Sequence, residues 1–196
     1  MKGKALVGIG VAVLLIFIGI NINNGLVEKE EIVESAWAQV ENQYQRRADL
    51  VPNLVNTVKG AANFEQETLT AVIEARSKAT SVNLSADDLN DPAKLEQFQQ
   101  AQAQLSGSLS RLLVSVERYP ELKANANFRD LQAQLEGTEN RITTERKRFN
   151  DAARSYNTAI RKFPTSIFAN LGGFERKAYF EADAGAEQAP TVDFSN

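Results

Sequence analysis

An all-α protein is what the sequence predicts: an N-terminal transmembrane helix followed by an elongated antiparallel bundle of about four long helices and an irregular C-terminal tail. Three observations lead there. Ala5 to Ile20 is an unbroken run of sixteen apolar or glycine residues in a chain that is otherwise strongly polar. From Glu28 onward apolar residues recur at spacings of three and four, with few of the alternations expected of strands. Within that region two stretches, 95–119 and 128–163, keep alternating steps of three and four long enough to form rods.

The apolar run comes first. At about 1.5 Å per helical residue it is slightly short for a hydrocarbon core of roughly 30 Å, but Ile22 extends it and Lys4 can snorkel to the headgroups. Residues 5–22 are therefore the expected span and 1–4 a cytoplasmic N-terminus. A cleaved signal peptide would share the lysines and the apolar stretch. Cleavage wants small residues at −1 and −3, however, and the candidates ending at Gly19 and Gly25 carry Phe17 and Asn23 there. Lys2 and Lys4 precede the span and Glu28, Lys29, Glu30 and Glu31 follow it, so the lysine bias keeps the N-terminus inside and places the rest of the chain outside, periplasmic or extracellular. Gly8 and Ala12 form a small-xxx-small pair that would let two spans approach, so a homo-oligomer is an open expectation.

Residues 26–164 make up the expected bundle. Its first helix carries Val33, Trp37, Val40 and Tyr44; Pro52 interrupts the pattern, which resumes at Leu54, Val55 and Val58, so a kink or a restart capped by Asp49 is expected. Asn63 and Gln66 resemble a capping box for a second helix through Lys78, with Phe64, Leu69, Val72 and Ile73 on its apolar face. Ser81 to Asp91 reads as a loop. Asp91 followed by Pro92 is a helix start, and Leu95, Phe98, Gln102, Leu105, Leu109, Leu112, Val116 and Tyr119 form the seam of the helix that Pro120 ends. The fourth helix runs through Phe128, Leu131, Leu135, Thr138, Ile142, Glu145, Phe149, Ala152, Tyr156, Ala159 and Phe163 to Pro164. Its roughly 35 residues make about 50 Å of rod. In the tail, 165–196, Ile167, Phe168, Leu171, Phe174, Tyr179, Phe180 and Phe194 sit in increasingly acidic sequence. An extended strap laid into a bundle groove is the expected course. Membrane contact is the rival, weakened by Glu181, Asp183 and Glu187.

Composition closes most chemistry. The chain has no cysteine and no histidine, which removes disulfides, thiolates, Cys/His zinc sites and every Ser-His or Cys-His pairing. A formal charge of −3 and an acidic pI argue against nucleic acid as a partner. No catalytic, metal or cofactor site is expected, and no enzyme.

The densest polar cluster in a structured segment is Gln45 to Val55. Arg46, Arg47, Asp49 and Asn53 there are the candidate interaction surface, because two arginines, a carboxylate and an amide around a kink could hold an anion or a partner. The competing structural role has Asp49 capping and one arginine pairing with a carboxylate on a neighbouring helix. Glu136 and Glu139, three apart on the fourth helix, could act as acid and base or hold a hard cation, but solvated or interhelical salt bridging is expected of them. Lys147, Arg148, Arg154, Arg161 and Lys162 form a basic stripe expected to pair with Glu65, Glu67 and Glu74.

Several stretches resemble the LemA family of bacterial membrane proteins: Glu34-Ser-Ala-Trp-Ala-Gln-Val-Glu41, Gln45-Arg-Arg-Ala-Asp-Leu-Val-Pro-Asn-Leu-Val-Asn-Thr-Val-Lys-Gly60, Ala71-Val-Ile-Glu-Ala-Arg-Ser-Lys-Ala79, Glu117-Arg-Tyr-Pro-Glu-Leu-Lys-Ala-Asn125, Leu135-Glu-Gly-Thr-Glu-Asn-Arg-Ile142 and Tyr156-Asn-Thr-Ala-Ile-Arg-Lys-Phe-Pro164. The resemblance covers nearly everything from Asn24 to Phe194. One departure is that Asn23, where the family pattern has tyrosine, precedes Asn24-Gly25-Leu26-Val27. The resemblance implies a single N-terminal span and an elongated helical domain with no established enzymatic activity. It also implies similarity to proteins of envelope maintenance and, in magnetic bacteria, of magnetosome membrane formation, and it supplies no catalytic residues. The expected function is a non-enzymatic, membrane-anchored scaffold or interaction protein of the bacterial cell envelope. Its expected partners are the lipid bilayer through residues 5–22 and unidentified envelope proteins. The alternative is a self-assembling protein that organises or shapes the membrane.

Overall fold

The computed structural model describes residues 2–60 and 64–181, and among them every regular element is helical. In chain order these are α1 (Lys2–Lys59), α2 (Gln66–Ser81), α3 (Pro92–Val116), α4 (Pro120–Ala124), α5 (Ala126–Arg161) and α6 (Thr165–Gly172), with a short 3-10 turn at Asp87–Asn90 inside the connection expected as a loop. Asn63, half of the expected capping box, and residues 182–196, including Asp183, Glu187 and Phe194, lie outside the described residues.

The first helix departs most from expectation. It runs unbroken for 58 residues, from the apolar run through the bundle, so there is no restart at Pro52. A proline inside a helix lacks the N–H that would reach the carbonyl four residues back, here that of Ala48. Arg76 of α2 fills the gap, its Nε donating to the Ala48 oxygen at 2.7 Å. Asp49 caps nothing, since its carboxylate accepts from Gln45 Nε2 at 2.8 Å on the exposed face. Past the apolar run the buried face of α1 is Leu26, Val33, Trp37, Val40, Tyr44, Arg47, Val51, Leu54 and Val58, in steps of three and four after the first.

Contacts fix the topology. Along α1, residues 29, 37 and 47 meet 155, 149 and 139 of α5, so those helices are antiparallel. Residues 65 and 79 meet 118 and 102, which makes α2 and α3 antiparallel as well. Trp37 meets Phe98 and Arg47 meets Ser106, so α3 runs parallel to α1. The result is an up-down helical bundle of the kind such seams favour.

The third helix begins as its sequence dictates. Asp91 accepts from the Ala93 N–H at 2.9 Å with Pro92 at the first helical position. Asp88, paired with Lys94 and bonded by Ser85, has its carboxyl held well below the usual range, and Lys94 is raised in turn. Between α3 and α5 the short α4 uses Pro120 as its first residue, and Asn125 then caps α5 by accepting from the N–H groups of Asn127 and Phe128. Two expectations about α5 are corrected. Beyond Phe149 its buried face keeps the expected Tyr156 and widens to Ala153, Asn157 and Ile160, with Ala152 and Ala159 packed at its edge, whereas Phe163 lies past the end of the helix at Arg161 and is 82% exposed. Its basic stripe does not pair with α2, which packs on α1 and α3: Arg148 and Arg154 pair with Glu145 and Asp151 one turn back, and Glu65 takes Arg118.

The tail begins with a helix before it extends. α6 packs on α1 and α5, and Gly173, in the left-handed region at φ 74°, ends it as glycine can without strain. The chain then runs extended to Glu181 as the expected strap.

Candidate functional site

Two buried cores divide the bundle. The half nearer the apolar run is aromatic: Trp37 stacks on Phe180 at 5.9 Å between centroids and meets Phe98 and Phe149 edge-on at 5.3 and 5.6 Å. Tyr44, Tyr156, Leu89 and Leu95 complete it. The far half is aliphatic, with Leu54, Val58, Leu69, Val72, Leu105, Leu112, Val116 and Leu135 in its centre.

Between them lies a polar layer. Arg47 occupies a seam position on α1 and is 1% exposed. One terminal nitrogen donates to Ser106 Oγ at 2.6 Å and to Glu139 Oε2 at 2.8 Å; the other donates to the Gln102 carbonyl at 3.1 Å and to Gln102 Oε1 at 2.8 Å. Gln102 passes the chain on, its Nε2 donating to the Ala79 carbonyl of α2 at 3.2 Å. Thr138, next to Glu139 and buried, returns its hydroxyl to the Gln134 carbonyl. A buried guanidinium has to find acceptors for its fork, and here four helices are tied through it. Glu139 is about half in water, so the pair is not sealed.

A second polar set clamps the tail. Asn157 on α5 accepts from the Lys177 N–H at 2.9 Å and donates to the Lys177 carbonyl at 2.8 Å, and Asn150 does the same for Phe180 at 2.9 Å each way. The Ala178 N–H donates to the Leu89 carbonyl at 2.8 Å. The Lys177 ammonium is buried with Glu30 at 2.8 Å, beside the Tyr156 ring. Burial pushes the Tyr156 phenol well above its ordinary value, and the Glu30 carboxylate adds to this.

Of the expected surface residues, Arg46, Asp49 and Asn53 are exposed and Arg47 is not, so the structure separates Arg47 from the other three. Glu139 bridges helices, while Glu136 accepts from Gln132 on its own helix. Arg47 was within reach of sequence reasoning, because the three-four stepping that places Tyr44 continues through 47 to Val51 and Leu54. Gln102 and Thr138 stand in the seams of their own helices, so polar residues in three seams mark one level. Asn150, Asn157 and Lys177 carry no such signal, since the two amides pair with backbone of the strap and the Lys177 ammonium pairs with Glu30 on α1, all remote in sequence.

Against known proteins, a model described as the LemA family matches residues 36–194, from the turn that carries Trp37 into the tail. This chain belongs to the LemA family. Among curated LemA-family relatives and their kin, it is similar to the magnetosome protein MamQ of Magnetospirillum gryphiswaldense, 27% identical over 179 residues, covering 83% of this chain and 66% of the relative. It is also similar to the protein LemA of Metamycoplasma hominis, 24% identical over 166 residues, covering 85% and 72%. The magnetosome protein MamQ 2 of Paramagnetospirillum magneticum is 26% identical over 174 residues, covering 81% and 64%. The chain thus spans about two thirds of the length of these relatives.

Proposed function

We propose that this LemA-family protein is a non-enzymatic scaffold of the bacterial cell envelope, anchored through residues 5–22, that presents its helical faces to envelope proteins. The observation that carries this reading is the continuity of α1: one helix contains a stretch long and apolar enough to cross a membrane and then forms the spine of the bundle. From Ile22 to Lys59 it supplies roughly 55 Å of rod at about 1.5 Å per residue. A bundle built on such a rod holds its far end at a set distance and angle from the bilayer, which suits a protein that works by contact. Arg46 and Asn53 lie on the exposed side of that rod.

A photo-crosslinking residue at Arg46 or Asn53 in intact cells tests this. Discrete adducts with another envelope protein are expected. A ladder of homomeric adducts would replace the scaffold with the self-assembling, membrane-organising alternative, and no adduct from any exposed α1 position would overturn both. Orientation follows from Lys2 and Lys4, so a reporter fused after Asn196 should be active only if it works outside the cytoplasm.

A further inference from the structure

We propose that α6 is a membrane-contacting foot, an interfacial helix whose Ile167–Leu171 face rests in the leaflet on the bundle side of the bilayer. The inference rests on the anchor reading above and adds a second point of contact to it. The position of α6 carries the argument. The Phe168 ring lies so close to Gly19 that a Cβ there would stand 2.9 Å from it, and a Cβ on Gly172 would stand 3.7 Å from the Asn23 side-chain oxygen. Gly19 is inside the apolar run. A helix packed against that residue cannot stand clear of a bilayer that the run crosses, because each residue of α1 advances only about 1.5 Å along the axis.

The composition of α6 agrees with that depth. Thr165–Gly172 carries no charged side chain, and its one buried residue is Ala169. On the face turned away from the bundle, Ile167 and Leu171, one helical turn apart, are 51% and 81% exposed. Phe163, just before the helix, is exposed as well. The exposed apolar run on α1 and the exposed apolar residues of α6 adjoin where Phe168 packs on Gly19, and adjoining apolar surfaces of this kind mark an interaction site. Arg161 and Lys162 precede it, exposed and suited to lipid phosphates. Of the acidic residues that weaken a membrane role for the tail as a whole, Glu181 ends the strap with its carbonyl held on the bundle by Gln99 and Arg146, and Asp183 and Glu187 follow it in sequence.

The absence of cysteine makes the test direct. Full-length single-cysteine variants Leu14→Cys, Ile167→Cys, Leu171→Cys and Val114→Cys, each carrying an environment-sensitive fluorophore, would be reconstituted into vesicles of phosphatidylcholine with a quarter phosphatidylglycerol. Nitroxides would be carried on the lipid near the headgroup or near the chain end. The 167 and 171 labels should be quenched by the shallow nitroxide several-fold more than the 114 label, which sits on the far half of the bundle, and the 14 label should be quenched best by the deep one. If the 14 label responds and the 167 and 171 labels behave like 114, the anchor stands and the foot falls. If none responds, both fall. Labels at 167 and 171 that are shielded from lipid nitroxide and from aqueous iodide alike would show a second protein copy on this face, which also overturns the foot.

Discussion

The two halves of the bundle bury comparable faces by different means. The far half is aliphatic and comes from neighbouring helices: α1, α2, α3, α4 and α5 each contribute Leu, Val, Ala or Phe at helical spacing. The near half is aromatic and includes the connection around Leu84 and Leu89 and the strap residues Ala178 and Phe180. A core closed by a strap depends on chain that arrives last in the sequence, and on polar clamps as much as on apolar area. The Arg47 layer separates the two, and the difference teaches that one half is stitched from local periodicity and the other by long-range closure.

The layer itself should yield the largest effect. Arg47→Glu places a carboxylate in a buried site facing Glu139 and strips Gln102 and Ser106 of their donor, so a loss of about 4 kcal/mol or more is expected in urea denaturation, felt by both halves. Unchanged stability would mean that the layer does not hold the halves together.

Next come matched truncations, Phe180→Ala in the near core and Leu109→Ala in the far one. Losses of about 3 to 5 and about 2 to 5 kcal/mol are expected. Trp37, the only tryptophan of the chain, stacks on Phe180, so its native-state emission should shift to the red in the first variant and stay put in the second. Equal shifts would show that the halves are one cooperative core.

Glu139→Gln should do far less than Arg47→Glu, at most about 1 kcal/mol, because Glu139 is half in water and Arg47 keeps its bonds to Gln102 and Ser106. A cost as large as that of Arg47→Glu would mean that the ion pair, not the hydrogen-bonded fork, carries the layer.

The smallest effect is one of pH. The folded protein holds the Tyr156 proton more tightly than the unfolded chain, whose phenol titrates near 10. The stability this gives is whole below that pH and drains away as pH rises toward the folded value. Urea midpoints measured on either side of pH 10 should fall for the parent and less steeply for Tyr156→Phe.

The same contrast explains what the sequence disclosed. Helix three was legible to the residue at its start, because Asp91 and Pro92 act locally, and its seam from Leu95 to Val116 is buried as its spacing requires. Pro52 misled as to a restart, since the partner that rescues Ala48 is Arg76, a residue on another helix. Phe163 misled too, because the helix ends at Arg161, before the three-four count does. In the candidate surface, exposure divided residues one apart, 46 from 47, and that division follows from carrying the α1 seam across the charged stretch. The strap was expected to lie in a groove, but its clamps are asparagine amides on remote backbone, which no local pattern announces.

One consequence of the uninterrupted α1 is torsional. With about 100° of turn per residue and no flexible joint between the apolar run and the bundle, the two share a single angular phase. The side of the run that carries Gly19 points along the bundle's α6 side. In a rigid α1, rolling of the run about its own axis would carry the far end with it as a swing of the outer surfaces.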